Sequence, residues 1–240
     1  MLRASEKRLR LGQRLPDILH ARPQARYYRE YVLKLGPVAY WPMNDLSGLP
    51  VDVSGNSRDM TAVNGSPTYG EQGPMSEPTV GYPSGAYHER AVVSTRVNDF
   101  AVCFWIYRDG TPTANGDIFT HGTTSGGFQI EWNTTNGTIR ANLPSVGTLA
   151  NFATLSNQTW TFIVCGKNTG VGGTWLAGPN GTLASSGTAA PGTPVGNTRV
   201  GGQVSTQTRL SHVAFFDRML TQNEVSTLYQ IGTRVVVPLL

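Results

Sequence analysis

The sequence is poor in charge, in cysteine and in long apolar runs, and each shortage excludes a class of protein. Charged residues make up 14% of the 240 residues, whereas glycine occurs 28 times and proline 15 times. Long helices need more Ala, Glu, Lys and Leu, so this composition indicates many strands joined by many turns. No apolar run approaches the ~20 residues of a membrane span. The segment from Arg3 onward is charged, and we therefore expect no secretory signal.

The two cysteines, Cys103 and Cys165, each lie within an apolar run. A disulfide is geometrically possible if their strands are neighbours, which the sequence alone does not establish. We expect two buried free thiols that act as small apolar side chains.

Motifs that carry catalysis are also missing. The four histidines and two cysteines form no His-x-x-x-His or Cys-x-x-Cys spacing, so no transition-metal site is predicted. Glu131 is the lone carboxylate of a predicted strand, and we expect no second acid near it. Hydrolysis of a glycosidic bond needs two such acids. The sequence therefore predicts that the chain is not an enzyme.

Positive charge is concentrated at the start of the chain. Residues 1–34 contain nine lysines and arginines and three acidic residues, a net +6, whereas the remainder carries −2. Residues 1–23 have too few apolar groups to order themselves. They are either a solvated tail or an arm that becomes ordered against a partner subunit. Their leucine content is higher than a phosphate-binding tail needs, which argues against nucleic acid as the partner. The candidate anchoring residues are Arg3, Lys7, Arg8, Arg10, Arg14 and Arg22.

A short docking helix is predicted near residues 24–35, within a segment that covers 24–36. Tyr28, Tyr31, Val32 and Leu35 are spaced to form one helical face, which we expect to pack on the body of the protein. Glu30 and Lys34 form a favourable i,i+4 pair in this helix. The Gly-Pro dipeptide at 36–37 ends it.

The rest of the chain, residues 37–240, reads as one all-β sandwich. Residues 38–41 form a short strand bounded by two prolines. Residues 100–107 are continuously apolar or aromatic, so both faces of that strand should be covered. In residues 128–132, apolar side chains alternate with Gln129 and Glu131, which predicts a half-exposed strand.

The last part of this sandwich predicts a strand followed by a capped helix. Leu210, His212 and Ala214 alternate with their neighbours along the strand. Thr221 and Glu224 have the spacing of a capping box. The helix should run near residues 221–231 and end at Gly232.

Several of these stretches resemble a known family. Residues 38–48 (VAYWPMNDLSG) and 52–60 (DVSGNSRDM) are similar to the opening of the laminin-G-like, concanavalin-A-like jelly-roll family. Residues 100–107, 160–164 and 210–229 extend the resemblance, which covers about residues 36–232. It implies a jelly roll of two antiparallel sheets. Residues 28–36 resemble the lead-in of tailed-bacteriophage virion proteins that carry this domain.

The family resemblance implies two kinds of ligand. Relatives bind calcium through loop oxygens, for which the candidates are Asp45, Asp52, Asn56 and Asp59. These side chains equally suit Asx turns, and Ser211 stands where many metal-binding relatives carry Asp. Relatives also bind glycans, and the candidate contacts are Tyr69, Trp132 and Trp175, each of which also suits a core.

The expected function follows from the resemblance and the charge distribution. We expect a bacteriophage virion protein, a minor tail component assembled in the host cytoplasm as part of a multi-copy assembly. Its arm would bind other virion proteins, and its jelly roll would contact host surface glycans. The alternatives are a head decoration protein and a free carbohydrate-binding lectin. Glycosidases of the family carry Glu-x-Asp-x-x-Glu on one strand, which this sequence lacks.

Overall fold

The structure is a computed structural model, and it describes residues 24–123, 126–134, 137–144, 147–169, 173–202 and 206–233. The predicted arm, residues 1–23, lies outside these described residues, as do its six candidate anchoring side chains. In chain order the elements are α1 (24–34), β1 (Ala39–Trp41), β2 (Ala62–Asn64), β3 (Thr68–Gln72), β4 (Pro78–Tyr82), β5 (Ala86–Ala91), β6 (Phe100–Arg108), β7 (Gly116–His121), β8 (Phe128–Asn133), β9 (Thr138–Leu143), β10 (Gly147–Thr154), β11 (Thr161–Asn168), β12 (Thr174–Pro179), β13 (Ala184–Gly187), β14 (Asn197–Gly202), β15 (Thr208–Phe216) and α2 (Gln222–Thr233).

The strands form two antiparallel sheets that pack face to face. One sheet has the order β13-β12-β11-β6-β15-β4-β3, with β1 paired to β15, and we call it the helix-side sheet. The other has the order β10-β9-β8-β7-β14-β5-β2, and we call it the open sheet. The predicted all-β sandwich of two antiparallel sheets is confirmed.

Both faces of the helix-side sheet are buried at its central strand β6, as the apolar sequence of that strand predicts. Val102 and Phe104 lie in the core between the two sheets. Cys103 and Trp105, which alternate with them, lie in a second core beneath the helices. Each fully buried apolar side chain of this size contributes roughly 1.5–3 kcal/mol of transfer free energy. The central strand therefore stabilises two layers at once.

Helix α1 packs on the helix-side sheet through the predicted face. Tyr28 and Val32 are fully buried, and Tyr31 and Leu35 pack against the same core. The helix ends where expected, because Gly36 has a φ of 71°. The predicted Glu30–Lys34 pair is wrong: Glu30 instead pairs with Arg26, one turn earlier, at 2.7 Å.

Helix α2 begins with the predicted capping box and packs on the same sheet. The Thr221 N–H donates to Glu224 Oε2 at 2.8 Å, and the Glu224 N–H donates to Thr221 Oγ1 at 3.3 Å. Gly232 does not end the helix as predicted, since the helix runs to Thr233. A Cβ at Gly232 would lie 2.2 Å from the Trp105 ring, so the glycine permits close packing on the sheet.

A β-bulge in β15 changes which residues face the core. The register shifts between Ser211 and Ala214, and His212 has a φ of 53°, in the left-handed region. Leu210 and Val213 consequently both lie in the core between the sheets. The alternation predicted from Leu210 to Ala214 is therefore wrong beyond Ser211.

Both cysteines are buried free thiols, as expected. Their strands, β6 and β11, are neighbours, yet the two side chains lie on opposite faces of the sheet. Cys103 belongs to the core beneath the helices and Cys165 to the core between the sheets. Adjacent strands therefore do not bring these sulfur atoms together.

Candidate functional site

The two sheets differ in what covers their outer faces. Among the described residues, both helices pack on the helix-side sheet. The open sheet buries Ile130 and Ile139 in the core between the sheets. Because side chains alternate along a strand, the neighbouring polar residues of β8 and β9 point outward. The outer face of the open sheet is therefore the candidate site.

Three polar side chains from adjacent strands form a ladder across this face. Asn142 Nδ2 donates to Gln129 Oε1 at 3.0 Å, and Gln129 Nε2 donates to Asp117 Oδ2 at 3.2 Å. A primary amide offers two N–H donors and two acceptor lone pairs, so these bonds use only part of its capacity. The ladder therefore holds the two amides in position and leaves hydrogen-bonding atoms for a ligand.

Two carboxylates lie opposite each other beside the ladder. Asp117 in β7 and Glu131 in β8 are partners in the antiparallel register. Burial raises the pKa of Asp117, and the nearby charge of Glu131 raises it further. Arg140 Nη2 donates to Glu131 Oε2 at 3.1 Å, which holds that carboxylate in place. The expectation that Glu131 has no second acid nearby is wrong, because the β7–β8 pairing brings a distant acid to it.

The polar surface continues across the sheet toward β5. Arg199 in β14 donates through Nε to Glu89 Oε2 at 2.8 Å. Its guanidinium lies over the Tyr87 ring, 4.5 Å from the ring centroid. Tyr87 is partly exposed, so this face also offers an aromatic side chain.

The polar residues of β7, β8 and β9 form the centre of this surface. We refer to these five residues, Asp117, Gln129, Glu131, Arg140 and Asn142, as the open polar face.

The two tryptophans predicted to contact a glycan do not reach a surface. Trp132 is 1% exposed, and the Arg108 guanidinium covers its ring at 4.4 Å. Trp175 is 0% exposed and donates from Nε1 to the Ala189 carbonyl at 2.7 Å. Stacking on a sugar needs an accessible ring face, so the prediction is wrong for both. Each is a core aromatic.

Tyr69, the third glycan candidate, is partly exposed, but its hydroxyl is already engaged. It donates to the Gly48 carbonyl at 2.6 Å and lies 3.0 Å from His88 Nε2. Tyr82 contacts the other nitrogen of the same imidazole at 2.9 Å. Burial lowers the pKa of His88 to about 4. Tyr69 therefore closes a structural network, and its role as a glycan contact stays a prediction.

Asp52, the central calcium candidate, is committed to protein donors. Its Oδ1 accepts from the backbone N–H groups of Tyr40 and Ser54 at 2.8 and 2.9 Å. Its Oδ2 accepts from the Ser54 hydroxyl at 2.8 Å and the Arg58 N–H at 2.9 Å. A carboxylate has about four lone-pair sites. These bonds fill them, so Asp52 does not fit a cation.

The other calcium candidates serve the same turn or lie beside it. Asp59 Oδ1 accepts from the Asp52 N–H at 2.7 Å, and Asn56 Nδ2 donates to the Val38 carbonyl at 3.0 Å. Burial raises the pKa of Asp45 and the nearby charge of Asp59 raises it further, while a hydrogen bond from the Val51 N–H lowers it. Within the described residues, no group of three or more His, Cys, Asp or Glu could hold a metal ion. The hydrogen bonds of Asp52, Asn56 and Asp59 fit Asx-type turn formation, and calcium binding by Asp45 stays a prediction.

The sequence contains part of the signal for the open polar face. The alternation in residues 128–132 already placed Gln129 and Glu131 on one face. The same alternation in β9 places Arg140 and Asn142 together. Asp117 was missed, because its position opposite Glu131 depends on the β7–β8 register, which contains a bulge. Local sequence does not specify that register.

A family model identifies the fold independently. The model described as "Concanavalin A-like lectin/glucanases superfamily", of the laminin G type, matches residues 83–226. This is more than half of the chain. No curated protein sequence matches the chain.

Solved structures of the same fold come from toxins and a sialidase. The binding domain of botulinum neurotoxin DC in complex with rat synaptotagmin II matches with a TM-score of 0.66 and 13% identity, over 83% of this chain and 52% of that chain. The same toxin's binding domain in complex with SialylT matches with a TM-score of 0.62 and 12% identity, over 83% of this chain and 52% of that chain. Trypanosoma rangeli sialidase matches with a TM-score of 0.61 and 14% identity, over 83% of this chain and 34% of that chain.

The identities of these matches are low enough that they show the fold alone. The chain spans about half the length of the toxin domains and about a third of the sialidase. None of the three is a phage protein. No helix within the described ranges is both long and apolar enough to cross a membrane. The chain belongs to the concanavalin A-like lectin/glucanase superfamily.

Proposed function

We propose that this domain binds a carbohydrate chain on the open polar face. The observation that carries the proposal is the ladder from Asn142 through Gln129 to Asp117, which spans three adjacent strands. The amide groups donate to and accept from sugar hydroxyls, and the carboxylate accepts from them. Because each group is held by its neighbour, little side-chain entropy is lost when a ligand binds.

The fold supports the same proposal at a coarser level. One structural neighbour is a toxin binding domain whose structure was solved in complex with SialylT. That ligand belongs to the toxin, and we use it only as support for glycan binding by a sandwich of this type. The helices cover the opposite side of this molecule, so an extended ligand would meet the open sheet without displacing them.

We infer binding without hydrolysis. A glycosidase needs a proton donor and a second carboxylate that is free to act as nucleophile or base. Asp117 has a raised pKa, as an acid requires, but its Oδ2 accepts from both Thr120 and Gln129. Glu131 is ion-paired with Arg140 and is 6% exposed. Both carboxylates are used within the sheet.

A glycan array on the full chain tests this function. We expect selective binding by the wild-type protein and its loss in the double variant Gln129→Ala/Asn142→Ala. Asn157→Ala is the matched control, since it removes an exposed amide from a loop and should leave binding unchanged. Equal binding by the double variant, or no binding of any glycan, would contradict the proposal.

The same glycans separate binding from turnover. Incubation of each bound glycan with wild-type protein should release no reducing sugar. Release that disappears in Glu131→Gln but persists in Asn157→Ala would establish a hydrolase and contradict the inference of binding alone.

A second candidate is the virion role expected from the sequence, a minor tail protein or a head decoration protein anchored by residues 1–23. The supporting observation is the +6 charge of residues 1–34 beside −2 for the rest. In addition, α1 packs on the helix-side sheet, opposite the open polar face. Anchoring near α1 would leave the glycan face accessible.

Deletion of residues 1–23 tests the anchor. The deletion should abolish recovery of the protein on purified particles while glycan binding by the isolated protein is unchanged. Full retention on particles would contradict an anchoring arm. The remaining function would then be that of a free lectin.

A further inference from the structure

A groove lies at the rim of the sandwich, where the turn 56–58 meets the end of β5. It has a volume of about 590 Å³ and is lined in part by Arg58, Arg90, Arg96 and Asp217. Three arginines and one aspartate give its wall a formal charge of +2. We call it the rim groove, and it is separate from the open polar face.

Two of these arginines differ from most others in the described part of the chain. Arginines with a carboxylate partner within 4 Å are Arg26, Arg29, Arg96, Arg140, Arg199, Arg209 and Arg218. The described arginines without such an ion pair are Arg58, Arg90 and Arg108. Arg108 is buried against Trp132. Arg58 and Arg90 are partly exposed, and both line the rim groove.

Arg58 is carried by a rigid turn. Its N–H donates to Asp52 Oδ2 at 2.9 Å, and its carbonyl accepts from Trp41 Nε1 at 2.8 Å. Trp41 is fully buried in the core between the sheets. The Asx turn centred on Asp52 therefore presents Arg58 at a fixed place in the rim.

Arg90 is held by its own guanidinium. Nη1 donates to the Asp59 carbonyl at 3.1 Å, and Nε donates to the Ala91 carbonyl at 3.2 Å. A guanidinium has five N–H donors, so donors remain for a ligand. Arg58 and Arg90 line the same groove. Burial lowers the pKa of Arg90 and repulsion from Arg58 lowers it further, while the carboxylates of Asp52 and Asp59 raise it. An anion between them would relieve that repulsion.

The opposite wall is ordered around Asp217. Ser94 Oγ donates to Asp217 Oδ1 at 2.5 Å, and Arg96 Nε lies 3.4 Å from Asp217 Oδ2. His121 Nε2 lies 2.9 Å from the Ser94 carbonyl, which can only accept, so this nitrogen carries the proton. The loop that closes the groove is thus fixed from two sides.

The groove offers charge but no stacking surface. The described residues that line it include no aromatic side chain. A neutral sugar has no charged group to pair with the two guanidinium groups and would gain little here. A carboxylate or sulfate group matches the fork of a guanidinium and forms charge-assisted hydrogen bonds.

We propose that the rim groove binds the acidic group of a saccharide, and that the guanidinium groups of Arg58 and Arg90 hold it. The proposal rests on the proposed function in one respect, that the ligand is a glycan. The acidic group is a carboxylate, as in a sialic or uronic acid, or a sulfate ester.

Titration of the full chain with single sugars tests the proposal. The probes are N-acetylneuraminic acid and glucuronic acid as carboxylates, galactose 6-sulfate as a sulfate ester, and galactose as the neutral sugar. We expect binding of at least one acidic probe and none of galactose. The acidic probe that binds shows whether the site recognises a carboxylate or a sulfate group. Affinity should fall about tenfold or more in Arg58→Ala/Arg90→Ala, because hydrogen bonds to a charged group are lost. It should also fall with added salt.

Two variants control this experiment. Arg26→Ala removes one positive charge from the exposed face of α1 and should leave affinity unchanged. Arg58→Lys/Arg90→Lys keeps the charge but loses the fork, so it should bind more weakly than wild type and more tightly than the alanine pair. If the alanine pair fails to fold, the affinities of the other proteins decide the result. Arg26→Ala should bind as tightly as wild type, and the lysine pair should bind more weakly than both.

Failure of this inference is distinguishable from failure of the proposed function. Equal affinity of wild type and both arginine variants, or no affinity for any acidic probe, overturns the rim groove as an anion site. Glycan binding that depends on Gln129 and Asn142 would still support the proposed function. Acidic probes that bind through Arg58 and Arg90 support the groove even when the open polar face binds nothing.

Discussion

Arg218 joins the two helices by binding Glu224 and the end of α1 at once. Its guanidinium donates to both carboxylate oxygens of Glu224 at 2.8 Å. Nη2 also donates to the Leu35 carbonyl at 3.2 Å. The same Glu224 carboxylate accepts the Thr221 N–H of the capping box. One side chain pair thus caps α2 and fixes the exit of α1.

Replacing Glu224 should lower stability more than an ordinary surface change. Glu224→Ala removes the capping bond and the bidentate ion pair, which is expected to reduce the free energy of unfolding by about 1–2 kcal/mol. Urea denaturation measures it. The control is Glu30→Ala, which removes the exposed pair with Arg26 and should cost about 0.5 kcal/mol or less. Equal losses of stability in the two variants would contradict the role of the Arg218–Glu224 pair in joining the two helices.

Asp52 should be among the most costly polar residues to replace. Asp52→Ala removes four hydrogen bonds and leaves the N–H groups of Tyr40 and Arg58 without an acceptor. We expect a loss of about 2–4 kcal/mol in the free energy of unfolding. The variant should also weaken the binding of acidic sugars at the rim groove, because Arg58 loses the hydrogen bond that fixes its backbone. Calcium titration of the wild-type chain should leave its melting temperature unchanged, and a rise would contradict the assignment of Asp52 to a turn.

The two thiols should be unreactive in the folded protein. Burial raises the pKa of Cys103 and Cys165 to about 12, so thiolate is nearly absent at neutral pH. Ellman's reagent at pH 8 should detect no thiol in the native chain and two after denaturation without reductant. Detection of none after denaturation would mean a disulfide, and rapid reaction of the native chain would mean that a thiol is exposed.

Three buried histidines should make the protein less stable in acid. Burial lowers the pKa of His88 and His121 to about 4 and that of His212 to about 3. The unfolded chain protonates these groups near pH 6.5. Below pH 6.5 it therefore binds more protons than the folded chain, so the free energy of unfolding falls as pH decreases toward 4. Above pH 6.5 these groups have no such effect.

The size of this loss, when fully developed, is about 3 kcal/mol each for His88 and His121 and about 5 kcal/mol for His212. Burial raises the pKa of Asp117 and Glu77, which acts in the opposite direction. An NMR titration of the imidazole resonances isolates the histidines. All three should stay neutral down to pH 5, and a midpoint near 6.5 for any of them would contradict its burial.

The fold could be predicted because its signals are local. Continuous apolar residues in β6, the helical spacing of Tyr28 and Val32, and the Thr221–Glu224 box each specify their element within a few residues. The bulge in β15 could not be predicted, because it depends on how His212 fits between β15 and its partners. His212 contacts Tyr40 Oη at 2.6 Å, a residue far away in sequence.

The candidate sites were harder to predict because burial decides them. A tryptophan near a turn suits a sugar platform or a core, and only the packing of Trp132 and Trp175 distinguishes the two. Asp52 was identified correctly as a turn or ligand residue, but only its four bonds show which. Arg58 and Arg90 are 32 positions apart, so nothing in their local sequence links them.

The most direct test of glycan binding on the open polar face is NMR mapping of the bound ligand. Titration of the labelled full chain with a glycan identified on the array should shift the amide resonances of β7, β8 and β9, and above all the side-chain amides of Gln129 and Asn142. Resonances of α1 and α2 should not move. Shifts confined to the helix-side sheet, with both amides unchanged, would contradict the account.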